Sequence, residues 1–126
     1  MIKKHVLVTS RVRRPPREGF SWIDRRFLRD YAERLSGDAV VLYFFLAAVS
    51  DKHGLSFYSD SSIAARLRMR ETAVQAARDE LLIHDLVAYQ SPLTQVLSLP
   101  PARVARGGFP GLGELVRTLQ HEEQQG

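Results

Sequence analysis

Cysteine is absent from the 126 residues, which excludes disulfides, thiolate metal sites and cysteine nucleophiles together. Long apolar runs are missing too. The longest is AVVLYFFLAAV, residues 39–49, about half of the roughly 20 residues that a bilayer-spanning helix needs. The four histidines, His5, His53, His84 and His121, are scattered, and no two stand at a ligand spacing such as i, i+4. Asp51, His53 and Asp60 lie close in sequence but flank a helix end and a turn, where capping and solvation are their ordinary work. The glycines of GGFPG, residues 107–111, lack the lysine and helix cap of a phosphate loop. Nothing in the spacing of the acidic residues selects a metal-binding set. The expectation is a protein with no catalytic residues, no metal site and no cofactor. MIKKH is followed by only a three-residue apolar run, which is not a secretory signal pattern. A soluble cytoplasmic chain is expected.

What is present is ordinary in amount and uneven in arrangement. A chain of this length suits one domain with a modest core, and 44% apolar with 25% charged residues is the balance of a globular protein. The net charge is +4. Residues 1–36 hold ten Lys/Arg against four Asp/Glu, a net of +6, and residues 37–126 hold eight against ten, a net of −2. The basic character therefore belongs to the N-terminal third, and such asymmetry points to a polyanionic partner for that end.

Three segments follow along the chain. Residues 1–20 are a basic arm, in which HVLVTS (5–10) suits a short edge strand and Pro15-Pro16 favours an extended conformation. Residues 21–100 carry the domain. Ser21 and Asp24 have the spacing of a capping box, and Ile23, Phe27, Leu28, Tyr31 and Leu35 recur at helical spacing. Phe20 and Trp22 suit a hydrophobic staple against Phe27 or the core. Gly37 breaks that helix, Asp38 opens the next, and residues 39–49 are apolar on all sides, so this helix belongs at the buried centre or in a dimer seam. LSFYS (55–59) reads as a strand. Residues 61–83 hold two helices around a tight corner, and LVAYQ (86–90) with QVLSL (95–99) read as a hairpin turned at SPLT. Tyr58 and Tyr89 are expected at the core edge. Residues 101–126 are a Gly/Pro-rich linker and a short amphipathic helix built on Leu112, Leu115, Val116 and Leu119.

The element order is helix, helix, strand, helix, helix, hairpin. Two helices that form a DNA-reading corner need small and apolar residues on their inner faces, so that the second can protrude into a major groove. Ile63, Ala64 and Leu67 supply the first inner face, Met69 plugs the corner, and Val74, Ala77 and Leu81 supply the second. Leu86 and Val87 begin the hairpin and close the core. In this register residues 37–99 resemble the winged helix-turn-helix family, as in MarR-type regulators and plasmid replication initiators. More faintly, the chain is similar to small uncharacterised bacterial proteins encoded near mobile elements.

The resemblance implies a mainly α (α+β) fold, a winged helix-turn-helix with a two-stranded wing, a basic arm and a short C-terminal helix. It implies binding to double-stranded DNA, as a transcriptional regulator or a replication or transposition accessory, and so a nucleoid-associated protein. Arg68 stands at the family's corner glycine, Arg70 at its usual serine cap, and Asp85 at a later glycine, where Asp tolerates left-handed backbone. By helical face Arg70, Glu71, Thr72 and Gln75 point outward and can meet base edges, Arg with guanine, Gln with adenine and Glu with cytosine. Arg11, Arg13, Arg14, Arg17 and Arg68 are the expected backbone contacts. Residues 70–81 carry a net charge of −1, so affinity would rest on the arm. The alternative is a winged-helix adaptor that recruits a replication or recombination protein without reading DNA itself. A homodimer or protein partner would use helix 39–49 or helix 112–119, and a palindromic DNA site would require the dimer.

Overall fold

The computed structural model describes residues 3–100, so the linker and the amphipathic stretch at 112–119 lie outside the described residues. Three regular helices, α1 (Gly37–Val49), α2 (Asp60–Leu67) and α3 (Glu71–Ile83), pack with a three-stranded antiparallel sheet. The strands are β1 (Leu55–Phe57), β2 (Val87–Gln90) and β3 (Leu93–Val96), in the spatial order β1-β3-β2. The fold class is thus α+β. The hairpin is not a free two-stranded element, because β1 joins it through Leu55↔Gln95 and Phe57↔Leu93. Its second strand also begins two residues earlier than the sequence suggests. The turn contracts to Ser91-Pro92, joined by a cis peptide bond, and Gln90 pairs directly with Leu93.

One core serves all these elements. Leu42 and Leu46 of α1, Ile63 of α2, Val74 and Leu81 of α3, and Leu86 before β2 are fully buried. Each such side chain contributes about 1.5–3 kcal/mol relative to exposure. Ala64 and Ala77 are buried where the helices cross, and Leu67 and Met69 pack against the same cluster from its edge. The inner faces expected from the sequence are therefore the inner faces observed. Tyr58 also packs at the edge, its ring 5.2 Å from that of Phe45 in an edge-on arrangement.

Helix α1 is less enclosed than its composition suggests. Ala39, Leu42, Tyr43, Leu46 and Ala47 are buried, while Val41, Phe44 and Ala48 reach solvent. Ser36 caps it by accepting the Ala39 N–H. A capping box would take its reciprocal carboxylate from the third helical residue, but that residue is Ala39. Glu80 of α3 supplies it instead, accepting from the Ser36 N–H at 2.8 Å and from the Ser36 hydroxyl. The start of α1 is thereby fastened to α3.

The N-terminal third departs most from expectation. HVLVTS forms no strand; residues 3–23 are exposed and contain only a short 3₁₀ turn at Thr9–Arg11. Ser21 does not cap a helix. Its hydroxyl donates to the Ala47 carbonyl of α1, and Asp24 takes the capping position by accepting the Arg26 N–H at 2.9 Å. The helical segment beginning at residue 25 is irregular, passing through a π turn at Phe27–Tyr31 into a 3₁₀ turn at Ala32–Arg34. Phe27 is its anchor, stacked flat on Tyr43 with ring centres 3.9 Å apart. Tyr31 and Leu35 pack against the core, but Ile23 and Leu28 face solvent. Ile23 precedes the helical segment, and from Phe27 to Tyr31 the wider π turn departs from the 3.6-residue stripe.

Both helices of the corner end on left-handed residues. Arg68 has φ 56 and ψ 45, and its N–H and that of Met69 both reach the Ala64 carbonyl. Asp85 has φ 60, and the Leu86 N–H returns to the Leu81 carbonyl at 3.0 Å. Each bond satisfies helix-end carbonyls that the backbone would otherwise leave unpaired.

Candidate nucleic-acid interface

Helix α3 starts from a corner with no side-chain cap, because Arg70 at the cap position makes none. Glu71 in the first turn places a negative charge at the positive end of the helix dipole. Beyond it, the outer face is set by what the inner face buries. With Val74, Ala77, Arg78 and Leu81 turned inward, Arg70, Glu71, Thr72 and Gln75 are exposed together near the start of α3, and Arg68 is exposed on the corner before them. The four expected base-contacting residues and one expected phosphate-contacting residue thus form one contiguous surface. Arg11, Arg13, Arg14 and Arg17 are exposed on the N-terminal segment, apart from that surface in the chain.

Gln75 is not free-standing. Its amide nitrogen donates to one oxygen of the Asp60 carboxylate at 3.3 Å. The other oxygen takes a charge-assisted hydrogen bond from the guanidinium of Arg78. Arg78 is 5% exposed, and its guanidinium carbon lies 3.9 Å above the ring of Tyr89 on β2. A buried guanidinium needs a paired charge or an aromatic face, and this one has both. The Arg78 hydrogen bond holds the Asp60 carboxyl below the ordinary carboxylate range, against the opposing effect of desolvation. The cluster ties the first turn of α2, the middle of α3 and the outer strand of the hairpin into one unit.

This arrangement corrects two readings. Asp60 is an ion-pair partner, not a solvated capping residue, and Arg78 is not part of the surface charge of α3. Glu80 is likewise spoken for by Ser36, whose hydroxyl and N–H hold its carboxyl below the ordinary range. The solvent-facing charges of α3 reduce to Glu71 and Asp79, preceded by Arg70 at the cap. Asp51 keeps the local role expected of it, accepting the N–H groups of His53 and Leu55. Arg78 was detectable from spacing alone. Positions 74, 77, 78 and 81 make one helical stripe at i, i+3, i+4 and i+7, which puts Arg78 on the inner face, where a guanidinium calls for a carboxylate or an aromatic face.

The outer surface has a second character toward the C-terminal end of α3. Ile83 is 80% exposed and Leu82 is partly exposed. Phe57 of β1 is also turned to solvent. Among the described residues no group of three His, Cys, Asp or Glu side chains is placed to hold a metal ion. No helix there is long and apolar enough to cross a membrane. No family model, no curated protein and no solved structure matches the chain.

Proposed function

We propose that the chain is a winged helix-turn-helix protein that binds duplex DNA, with α3 in the major groove and the arm along the backbone. The observation that carries this reading is the joint exposure of Arg68, Arg70, Glu71, Thr72 and Gln75 at the corner and first turns of α3. These are the positions from which a recognition helix meets base edges, and they combine donors and acceptors suited to reading them. The three-stranded antiparallel sheet, in the order β1-β3-β2, is compatible with a winged arrangement and supports the reading to that extent. The exposed Arg11, Arg13, Arg14 and Arg17 supply the phosphate contacts that the net-acidic outer face of α3 lacks. The biological setting is transcriptional regulation or an accessory role in replication or transposition.

Fluorescence anisotropy tests this directly. Full-length protein and a version without residues 1–19 are titrated at three salt concentrations into duplex from around the protein's own gene and into a scrambled duplex. The native duplex should bind more tightly. The truncation should flatten the salt slope, because each neutralised phosphate contributes about 0.9 to it. Absence of binding at low salt would sink the DNA reading.

A second reading is an adaptor that binds another protein. The exposed Leu82 and Ile83 favour it, as does Asp79 on the same helix, because apolar groups rimmed by charge mark protein interfaces. In that case Ile83→Lys abolishes partner capture, and no duplex binding is seen for either the wild type or the variant.

A further inference from the structure

The base of the arm has a feature that duplex binding does not use. Phe20 and Trp22 are 68% and 74% exposed. Neither staples the helix start. Between them the Ser21 hydroxyl donates to the Ala47 carbonyl in the last turn of α1, which tethers the backbone that carries the two rings.

Phe20 and Ser21 share a cleft of about 400 Å³ with Arg13, Arg14, Pro15 and Pro16; Trp22 does not line it but is exposed two residues beyond Phe20. The two prolines have fixed φ and stiffen one wall. The arginines bring positive charge to the same cleft, and from Lys3 to Ile23 the only acid is Glu18. Flat apolar rings beside guanidinium groups match a ligand that is both planar and anionic. Paired bases in a duplex keep their faces stacked on one another and offer none to a side chain. Unpaired bases do offer them, with phosphates a few ångströms away. An acidic peptide would satisfy the arginines but leave the rings in water.

We propose that this cleft, with the exposed Trp22 just beyond its lining, is a binding site for single-stranded nucleic acid, in which Phe20 and Trp22 stack on unpaired bases and Arg13 and Arg14 hold the flanking phosphates. The site is separate from the surface of α3 and does not depend on the duplex-binding reading.

Trp22 is the only tryptophan in the chain, so its fluorescence reports on this site alone. The full chain is titrated with a thymidine oligonucleotide of about 12 residues, within usual site sizes, and with a blunt hairpin duplex. The expected result is saturable quenching by the single strand that weakens with salt, and little quenching by the duplex. With a labelled strand, Phe20→Ala and Trp22→Ala each weaken binding on the order of fivefold or more. Both rings are exposed, so circular dichroism of these variants should match the wild type. Arg70→Ala/Gln75→Ala should retain single-strand affinity. The inference is overturned if the single strand does not quench Trp22, if the blunt duplex quenches it equally, or if both aromatic variants bind the strand as the wild type does. Single-strand binding without any duplex binding would support this site and sink the duplex reading alone.

Discussion

The guanidinium of Arg78 lies 3.9 Å above the ring of Tyr89 while its Nη2 is hydrogen-bonded to the Asp60 carboxylate. One buried cation thus joins a helix start, a second helix and a strand. Removing the anion leaves the cation stranded, and that is far more costly than removing both. Asp60→Ala should lower stability by about 2–4 kcal/mol in urea unfolding, somewhat under the usual cost of breaking a fully buried pair because Asp60 is partly exposed. Asp60→Ala combined with Arg78→Met should recover much of the loss, since an apolar side chain of similar length refills the space. Equal stability of the two variants would contradict this account of the cluster.

Acid should weaken the fold through Asp60 and Glu80. Their carboxyls titrate below their ordinary values, 3.8 and 4.5, because of hydrogen bonds from Arg78 and from Ser36. The unfolded chain therefore binds more protons than the folded one in acid. The stability these groups supply is complete above about pH 5 and is lost as pH falls through their folded-state values. Melting temperature measured from pH 7 to pH 3 should be level at first and then decline. Glu80→Gln should make that decline shallower.

Gly54 should resist substitution. It has φ +83, and a Cβ there would stand 2.5 Å from the Val96 carbonyl oxygen. Its own carbonyl accepts the Val96 N–H at 2.8 Å, so the backbone cannot retreat without loosening β1 from β3. Gly54→Ala should cost roughly 2–3 kcal/mol from left-handed strain and the clash together. Hydrogen exchange should rise first at β1 and β3.

Arg68 sits in the left-handed region, which disfavours any residue with a Cβ by about 1–2 kcal/mol. Glycine removes that strain but has more freedom to lose on folding. Arg68→Gly should therefore raise stability by about 0.5–1 kcal/mol, a shift of a few degrees in melting temperature. If duplex binding is as proposed, the same variant binds DNA slightly less well and with a smaller salt slope, which anisotropy would read.

If duplex binding is as proposed, Gln75→Ala should relax preference at a single base pair, by about 1–3 kcal/mol, and leave the rest of the site profile intact. Selection of binding sites from a random duplex pool by wild type and variant is the measurement. A uniform loss across all positions would mean that Gln75 only supports the helix through Asp60.

The helical corner was legible in the sequence because its pattern is local. Ile63, Ala64 and Leu67, then Val74, Ala77 and Leu81, are spaced by the helix itself, and burial follows spacing. The same logic would have found Arg78, had its stripe been weighed above its charge. The N-terminal third was not legible, because its structure is decided by distant partners. Ser21 has a cap-like spacing, yet Ala47 claims its hydroxyl. Phe27 stacks on Tyr43, and the segment from Phe27 to Tyr31 forms a π turn that no 3.6-residue period anticipates. Glu80 likewise looks like a surface acid until Ser36, on another element, is brought against it. The exposed surface of α3 and the arm arginines followed from face and composition, whereas the outward rings of Phe20 and Trp22 did not.

The pairing of β1 with β3 has a consequence for how the chain folds. Leu55 meets Gln95 with both helices of the corner strung between them, so the sheet is a clasp around that corner. The hairpin of β2 and β3 is local, whereas β1 pairs across a segment that α2 and α3 shorten once they form. Loop closure is then prepaid by helix formation. The slow, committing step in folding should be the closing of this clasp, and the helical corner and the hairpin should open as one cooperative unit.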